Sequence, residues 1–268
     1  MNRRTFLGAV GSAASIGAFA YTRHDRSTVD TLAVRVWRSE RAAGYDGVRE
    51  RIREYLERFL DLPYWSLELS FGGTVAVAHE DGARVTTRGE WPLTLAGGLV
   101  GASDLEPVAD VNLLVTDGGM VDAPTGYGLP HVASVGGARH LAALEPIDEL
   151  PATASNAEDA EDVEAVDTSV DHPIVPLTTS TRTMQVLLHE VGHALGLDHD
   201  HGVVFRSGGT VVATPMLSTY AFSSSYDGDR SACGAPYPAT TGRDRAITLS
   251  FSGCARRRLE TYAGGVRP

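Results

Sequence analysis

Lysine is absent from the 268-residue chain, so all 23 of its basic residues are arginine, set against 34 acids. The formal net charge is −11, and it becomes −13 once residues 1–20, with two arginines and no acid, are set aside. So little positive charge excludes the electrostatic footprint that nucleic acid or an anionic membrane surface requires. Acid excess without lysine fits adaptation to high salt, where self-repulsion is screened. An acidic exported protein from a GC-rich genome fits it equally.

Long apolar runs are also scarce. The one candidate, Phe6–Ala20, is rich in Gly, Ala and Ser and too short for a comfortable membrane span. It follows Arg3-Arg4-Thr5 and ends in Ala18-Phe19-Ala20, an A-x-A cleavage pattern. These features predict a twin-arginine signal peptide over 1–20, with an uncleaved N-terminal anchor as the alternative. The mature chain, 21–268, is then extracellular or displayed on the cell surface. At 43% hydrophobic, the 268-residue chain can bury one good core, which predicts a single domain of two lobes, expected to be a monomer.

Cysteine is nearly missing: only Cys233 and Cys254 are present, and neither has the spacing of a metal site. Free thiols would suit a reducing compartment. Export favours a disulfide between them, worth about 3 kcal/mol for a loop of this length.

What the chain does contain is His189-Glu190-Val191-Gly192-His193-Ala194-Leu195-Gly196-Leu197-Asp198-His199-Asp200. His189 and His193, four apart on a helix, stand one turn above the other and point the same way. Gly196 is where that helix should stop, because glycine enters the left-handed conformation freely. The returning chain can then bring His199 to the same point. Three imidazoles suit a tetrahedral zinc ion that keeps one position open, the arrangement of catalytic sites. Glu190 would be a neighbouring non-ligand carboxylate able to act as a base. With this composition the five fixed residues coincide by chance with a probability on the order of 10⁻⁴. Met184, Leu187, Leu188, Val191 and Leu195 form an apolar stripe roughly 140–180° away from the two histidines. One helix face therefore belongs to the core and another to the histidines.

The motif H-E-x-x-H-x-x-G-x-x-H resembles that of the metzincin zinc endopeptidases, and the following Asp200 resembles the adamalysin (reprolysin) branch. The family has a Met-turn beneath its imidazoles, for which Met216 is the candidate here. Phe251-Ser252-Gly253-Cys254 is similar to the start of the adamalysin C-terminal helix. The resemblance implies an α+β fold: a twisted mixed sheet, two long helices above a cleft, and a small, mostly irregular C-terminal lobe ending in a helix. The upper lobe would span about 31–196 and the lower about 197–268. It also implies one catalytic Zn2+ on His189, His193 and His199, Glu190 as general base, Asp200 as a supporting residue, and a peptide or protein substrate. The sequence departs from the pattern at Ser218, where the family usually has proline two residues after the methionine. In some branches a tyrosine two residues after the methionine approaches the zinc. Tyr220 is four after Met216, so that role is not transferred to it.

Along the chain, Leu32, Val34 and Val36 alternate as a strand, Val48, Ile52, Tyr55, Leu56 and Phe59 form a helical stripe, and Leu67–Phe71 reads as a second strand. Val75, Val77, the Asp81-Gly82 pair and Arg84–Thr87 suggest a hairpin. Residues 90–108 fit no pattern. Val111, Leu113 and Val115 form the next strand. The segment 126–137 reads either as an edge strand able to add an extended peptide or as a Gly-rich surface loop. His24, His79, His131, His140, His172 and His201 read as surface residues. Residues 152–171 carry seven acids among Ala, Ser and Thr, a solvated insertion. Calcium is the other reading for it, but the glycine-bearing loop pattern is missing. Ile174–Leu177 should lead into the zinc helix, with Ser180 or Thr181 as N-cap. Val203–Phe205 and Thr210–Ala213 should form a small hairpin, 224–241 a loop, and Leu249, Cys254, Leu259 and Tyr262 a closing helix. Together these readings lead to an exported zinc endopeptidase. A zinc amidase acting on small or cell-envelope substrates and an inactive surface metal-binding module are the alternatives.

Overall fold

The computed structural model describes residues 28–119, 125–150, 160–161 (backbone only), 173–222 and 231–265. The signal-peptide reading, His24, His172 and nearly all of the acidic insertion lie outside these residues. Within them the fold is α+β, with two mixed sheets and seven α-helices. No described helix is long and apolar enough to cross a membrane.

The chain enters on β1 (Thr31–Ser39), where Leu32, Val34 and Val36 are fully buried, as their alternation predicts. Two helices, α1 (Glu40–Ala43) and α2 (Val48–Leu60), then carry it to β2 (Ser66–Val75), parallel to β1. The predicted stripe Val48, Ile52, Tyr55, Leu56 and Phe59 is the buried face of α2. Next come α3 (Gly82–Thr87), α4 (Glu90–Leu99) and β3 (Val111–Val115), which runs parallel on the other side of β1. β4 (Gly126–Leu129) and β5 (Val132–Val135) form a hairpin. β5 pairs parallel with β3, which leaves β4 as the antiparallel edge in the order β2-β1-β3-β5-β4.

β3 is buried at every position because both faces of this sheet are covered. Val111, Leu113 and Val115 join the main core, while Leu114 packs with Trp37 and Trp91 beneath α3 and α4. The Trp91 indole N–H reaches the carbonyls of Asn112 (3.3 Å) and Ala133 (3.1 Å), fixing α4 across the sheet.

After α5 (Ala138–Ala142) the second sheet is built from β6 (Ala160–Glu161), β7 (Ile174–Pro176), β8 (Val204–Ser207), β9 (Thr210–Ala213) and β10 (Asp244–Thr248). Its order is β6-β8-β9-β10-β7. The long helix α6 (Thr179–Ala194) lies between the two sheets, and α7 (Gly253–Leu259) closes the chain. Met184, Leu187, Leu188 and Val191 place α6 in the main core. On its other side the Gln185 amide donates to Ala213 O (2.9 Å) and Thr248 O (3.1 Å) of the second sheet. Twelve of its sixteen residues are buried, so α6 has two covered faces rather than one core stripe.

Four expectations need correction. Asp81-Gly82 is not a hairpin turn: the Asp81 carboxylate accepts from Arg84 N at 3.1 Å and caps α3. The ambiguous stretch 90–108 contains α4. The cap of α6 is Thr178, whose hydroxyl accepts from Thr181 N while Thr181 Oγ1 accepts from Thr178 N, a reciprocal capping box. The C-terminal lobe is mostly irregular and ends in a helix, as expected, but it also contains β8, β9 and β10. Because β7 pairs with β10, that sheet also crosses the division expected near residue 196. The β8–β9 hairpin is found as predicted. The closing helix is shorter than predicted, with Leu249 before it and Tyr262 after it. Cys233 and Cys254 are disulfide-bonded, with Cα atoms 5.6 Å apart.

Asp110, buried just before β3, ties β1 to the segment that follows α7. Its carboxylate accepts from Ala33 N (2.9 Å), Tyr262 OH (3.2 Å) and Gly265 N (3.0 Å). Asp110→Ala should therefore lower unfolding stability by about 3 kcal/mol, since buried hydrogen bonds to a charged group are among the strongest. Urea denaturation checks this, and a loss below about 1 kcal/mol would contradict it.

Candidate metal centre

α6 ends as its sequence requires. Gly196 has φ +82°, Gly196 N donates to His193 O (3.0 Å) and Leu197 N to Gly192 O (2.9 Å). This is a Schellman stop, and it turns the chain back towards the helix. The three histidines meet as a result: their ligand-capable atoms all lie within 4.8 Å of one another. His189 is buried, His193 half-buried and His199 exposed on the 3₁₀ turn His199–His201.

Two backbone carbonyls set the rings. His189 Nδ1 lies 2.8 Å from Pro215 O, and His193 Nδ1 lies 2.7 Å from Leu197 O. A carbonyl only accepts, so each Nδ1 carries its hydrogen and each Nε2 keeps a lone pair. The two Nε2 atoms are 3.0 Å apart. Burial first, then the neighbouring His193, lowers the His189 pKa to about 3; burial likewise lowers those of His193 and His199. Neutral imidazoles with lone pairs converging are a donor set for a divalent cation, and nitrogen donors of this kind suit zinc among others. The residues present therefore fit a metal ion.

Met216 lies directly under this turn of α6. A Cβ on Gly192 would come within 2.3 Å of the Met216 sulfur, so the methionine packs where only glycine leaves room. Two residues on, Ser218 has φ +49°, a conformation closed to proline. Ser218 opens the 3₁₀ segment Ser218–Phe222. That turn brings the Tyr220 ring to 5.1 Å from His199 and 5.8 Å from His189. Burial, and then the charge of Glu190, raises the Tyr220 pKa. Tyr220, to which the count of residues from the methionine assigned no role, thus lies beside two of the three rings.

Glu190 faces the edge strand β4. A Cβ on Gly126 would meet its Oε1 at 2.6 Å, and one on Gly128 would meet Glu190 O and His193 Cβ at 2.5 Å. The two glycines thus let β4 lie directly on α6, while Tyr127 and Leu129 between and beyond them remain over a third exposed. Burial raises the Glu190 pKa to about 8, opposed by a hydrogen bond from the Gly128 backbone.

Asp200 is not among the three grouped histidines, and its carboxylate lies 3.3 Å from His201 Nδ1. It acts on the centre as charge, one of the influences drawing the His199 pKa upward against burial. His131 is not a surface residue: it is half-buried at φ +69°, its N–H donates to Ala194 O at 3.0 Å, and Nδ1 lies 3.2 Å from Asp110 O. His201 is also half-buried, and its Nδ1 accepts from Asp198 N at 2.9 Å. A lone histidine gives no such signal in sequence.

In the metal-free protein, Glu190 titrates near 4.5 when unfolded and about 8 when folded. The folded state then binds the extra proton, so this group's contribution to stability is lost as pH rises through that window. The histidines, whose pKa values folding lowers from 6.5, give an opposing slope that fades above about pH 7.5 and is common to the wild type and Glu190→Gln. Between pH 6.5 and 8 the metal-free wild type should lose thermal stability relative to Glu190→Gln; parallel melting curves would contradict this. Gly128→Ala should cost about 2 kcal/mol by pushing β4 off α6, and an unchanged denaturation midpoint would refute that contact.

Compared with protein-family models and with curated proteins, the sequence matches none.

Proposed function

We propose that the chain is a zinc-dependent endopeptidase of metzincin-like architecture, exported by the twin-arginine route and acting outside the cell. The observation that carries this reading is the convergence of His189, His193 and His199 beside a buried carboxylate that is not part of the ligand set. A purely structural metal site has no use for Glu190 at that position.

A zinc ion, when bound, would polarise a carbonyl and lower the pKa of a water molecule. The protein supplies the rest. Glu190 takes a proton at its carboxylate from the attacking water and returns it to the leaving amine. Its closeness to Gly126 and Gly128 puts this proton carrier against the backbone of β4. β4 has β5 on one side and is the outermost strand of its sheet, so a peptide could add to its other edge through backbone hydrogen bonds. The Tyr220 hydroxyl is a candidate donor to the oxygen that gains charge in the reaction.

A quenched-peptide library, assayed at several salt concentrations, tests this reading. Cleavage should stop with a chelator and return with zinc. Glu190→Gln should keep the metal and lose roughly 10²–10⁴-fold in turnover, the usual contribution of a general base. Hydrolysis confined to short amides would replace the endopeptidase with an amidase. Stoichiometric zinc without turnover of any substrate would leave a metal-binding module.

A further inference from the structure

The third ligand is held differently from the other two. Backbone carbonyls fix the rings of His189 and His193, whereas His199 stands on an exposed turn with its ring against Tyr220. The turn itself is gripped from outside at three consecutive carbonyls. Ala232 N–H donates to Asp200 O, Ser252 Oγ to His201 O at 2.6 Å, and Tyr237 OH to Gly202 O at 3.3 Å. These donors are grouped around one covalent bond: Ala232 precedes Cys233, Tyr237 follows it by four residues, and Ser252 lies two before Cys254.

Residues 231–243 form no helix or strand, so the disulfide is the covalent tie between this loop and α7. Cys254 is buried but Cys233 is exposed, and the Arg257 guanidinium donates to Cys233 Sγ at 2.9 Å. A disulfide with one cysteine exposed and a cation beside its sulfur is a candidate for thiol exchange.

We propose that the Cys233–Cys254 bond is a redox-set clamp on the third metal ligand. Closed, it holds the 199–202 turn so that His199 joins His189 and His193; opened by a dithiol reductant, it frees the turn and weakens metal binding by about 10–100-fold, the usual effect of losing ligand support. The proposal rests on the metal reading above and adds its regulation. In the opening step a thiolate of the dithiol attacks Cys233 Sγ. The Cys233–Cys254 bond breaks, and its electron pair leaves on Cys254, which takes up a proton. The second thiolate of the dithiol then displaces Cys233 as a thiolate beside Arg257, and the dithiol becomes a disulfide. A chain that folds in a reducing compartment before export would carry the clamp open until it reached an oxidising one.

The test is zinc affinity of the full-length chain, measured by competition with a fluorescent chelator. The forms compared are the oxidised protein, the reduced protein freed of reductant under anaerobic conditions, and Cys233→Ser/Cys254→Ser. The oxidised chain should bind one zinc ion, and both open forms should bind about 10–100-fold more weakly with unchanged far-UV circular dichroism. In a His199→Ala background, oxidised and reduced chains should bind equally, because the clamp acts through that residue. Equal affinity of the open and closed wild-type forms would overturn the clamp, as would the same weakening without His199. Loss of secondary structure on reduction would overturn it as a local device. No zinc binding by the oxidised chain would overturn the metal reading itself, and the clamp with it.

Discussion

The Nδ1 hydrogens of His189 and His193 each meet a carbonyl oxygen, and this constraint turns two lone pairs towards each other inside the protein. Nε2 atoms 3.0 Å apart, each lacking a hydrogen, repel one another unless positive charge lies between them. The fold maintains that costly arrangement through contacts that would otherwise have little purpose. Leu197 presents its carbonyl because Gly196 reverses the chain there, and Pro215 presents its own because Met216 packs onto Gly192. Both contacts depend on the position of α6, held by apolar packing on one side and by Gln185 on the other. A helix buried between two sheets cannot easily rotate, so its histidines are aimed before any ligand arrives.

The same helix sets the chemistry beside the rings. Glu190 is pressed against β4, and glycine at 126 and 128 is what allows that contact. Burial favours its protonated form, while a nearby dication would favour the charged one. Such opposing influences suit a group that must take a proton and give it back.

Much of this could be read from the sequence wherever one local rule governs. The four-residue spacing of His189 and His193, the stop at Gly196, the alternation in β1 and the α2 stripe each have one dominant cause. The reading failed where one residue pattern serves two structures. Asp followed by glycine opens a hairpin or caps a helix, and only the packing of Gly82 against Gly136 and Thr125 decides for α3. β10 was missed because Asp244 and Arg245 are exposed and only its second half is buried. Thr178 was passed over as the cap of α6 because Ser180 and Thr181 are equally good candidates in sequence. The partners of the imidazoles escaped notice for a different reason: they are carbonyls, which every residue has. Tyr220 became visible only once Ser218 was found at positive φ.

The central claim is that three imidazoles of this chain share one metal ion and leave room for a solvent molecule. X-ray absorption at the metal edge of the zinc-loaded, oxidised protein measures this most directly. The account predicts three imidazole nitrogens at about 2.0–2.1 Å and one further light ligand. Fewer than three imidazoles, or a sulfur scatterer in the first shell, would contradict it.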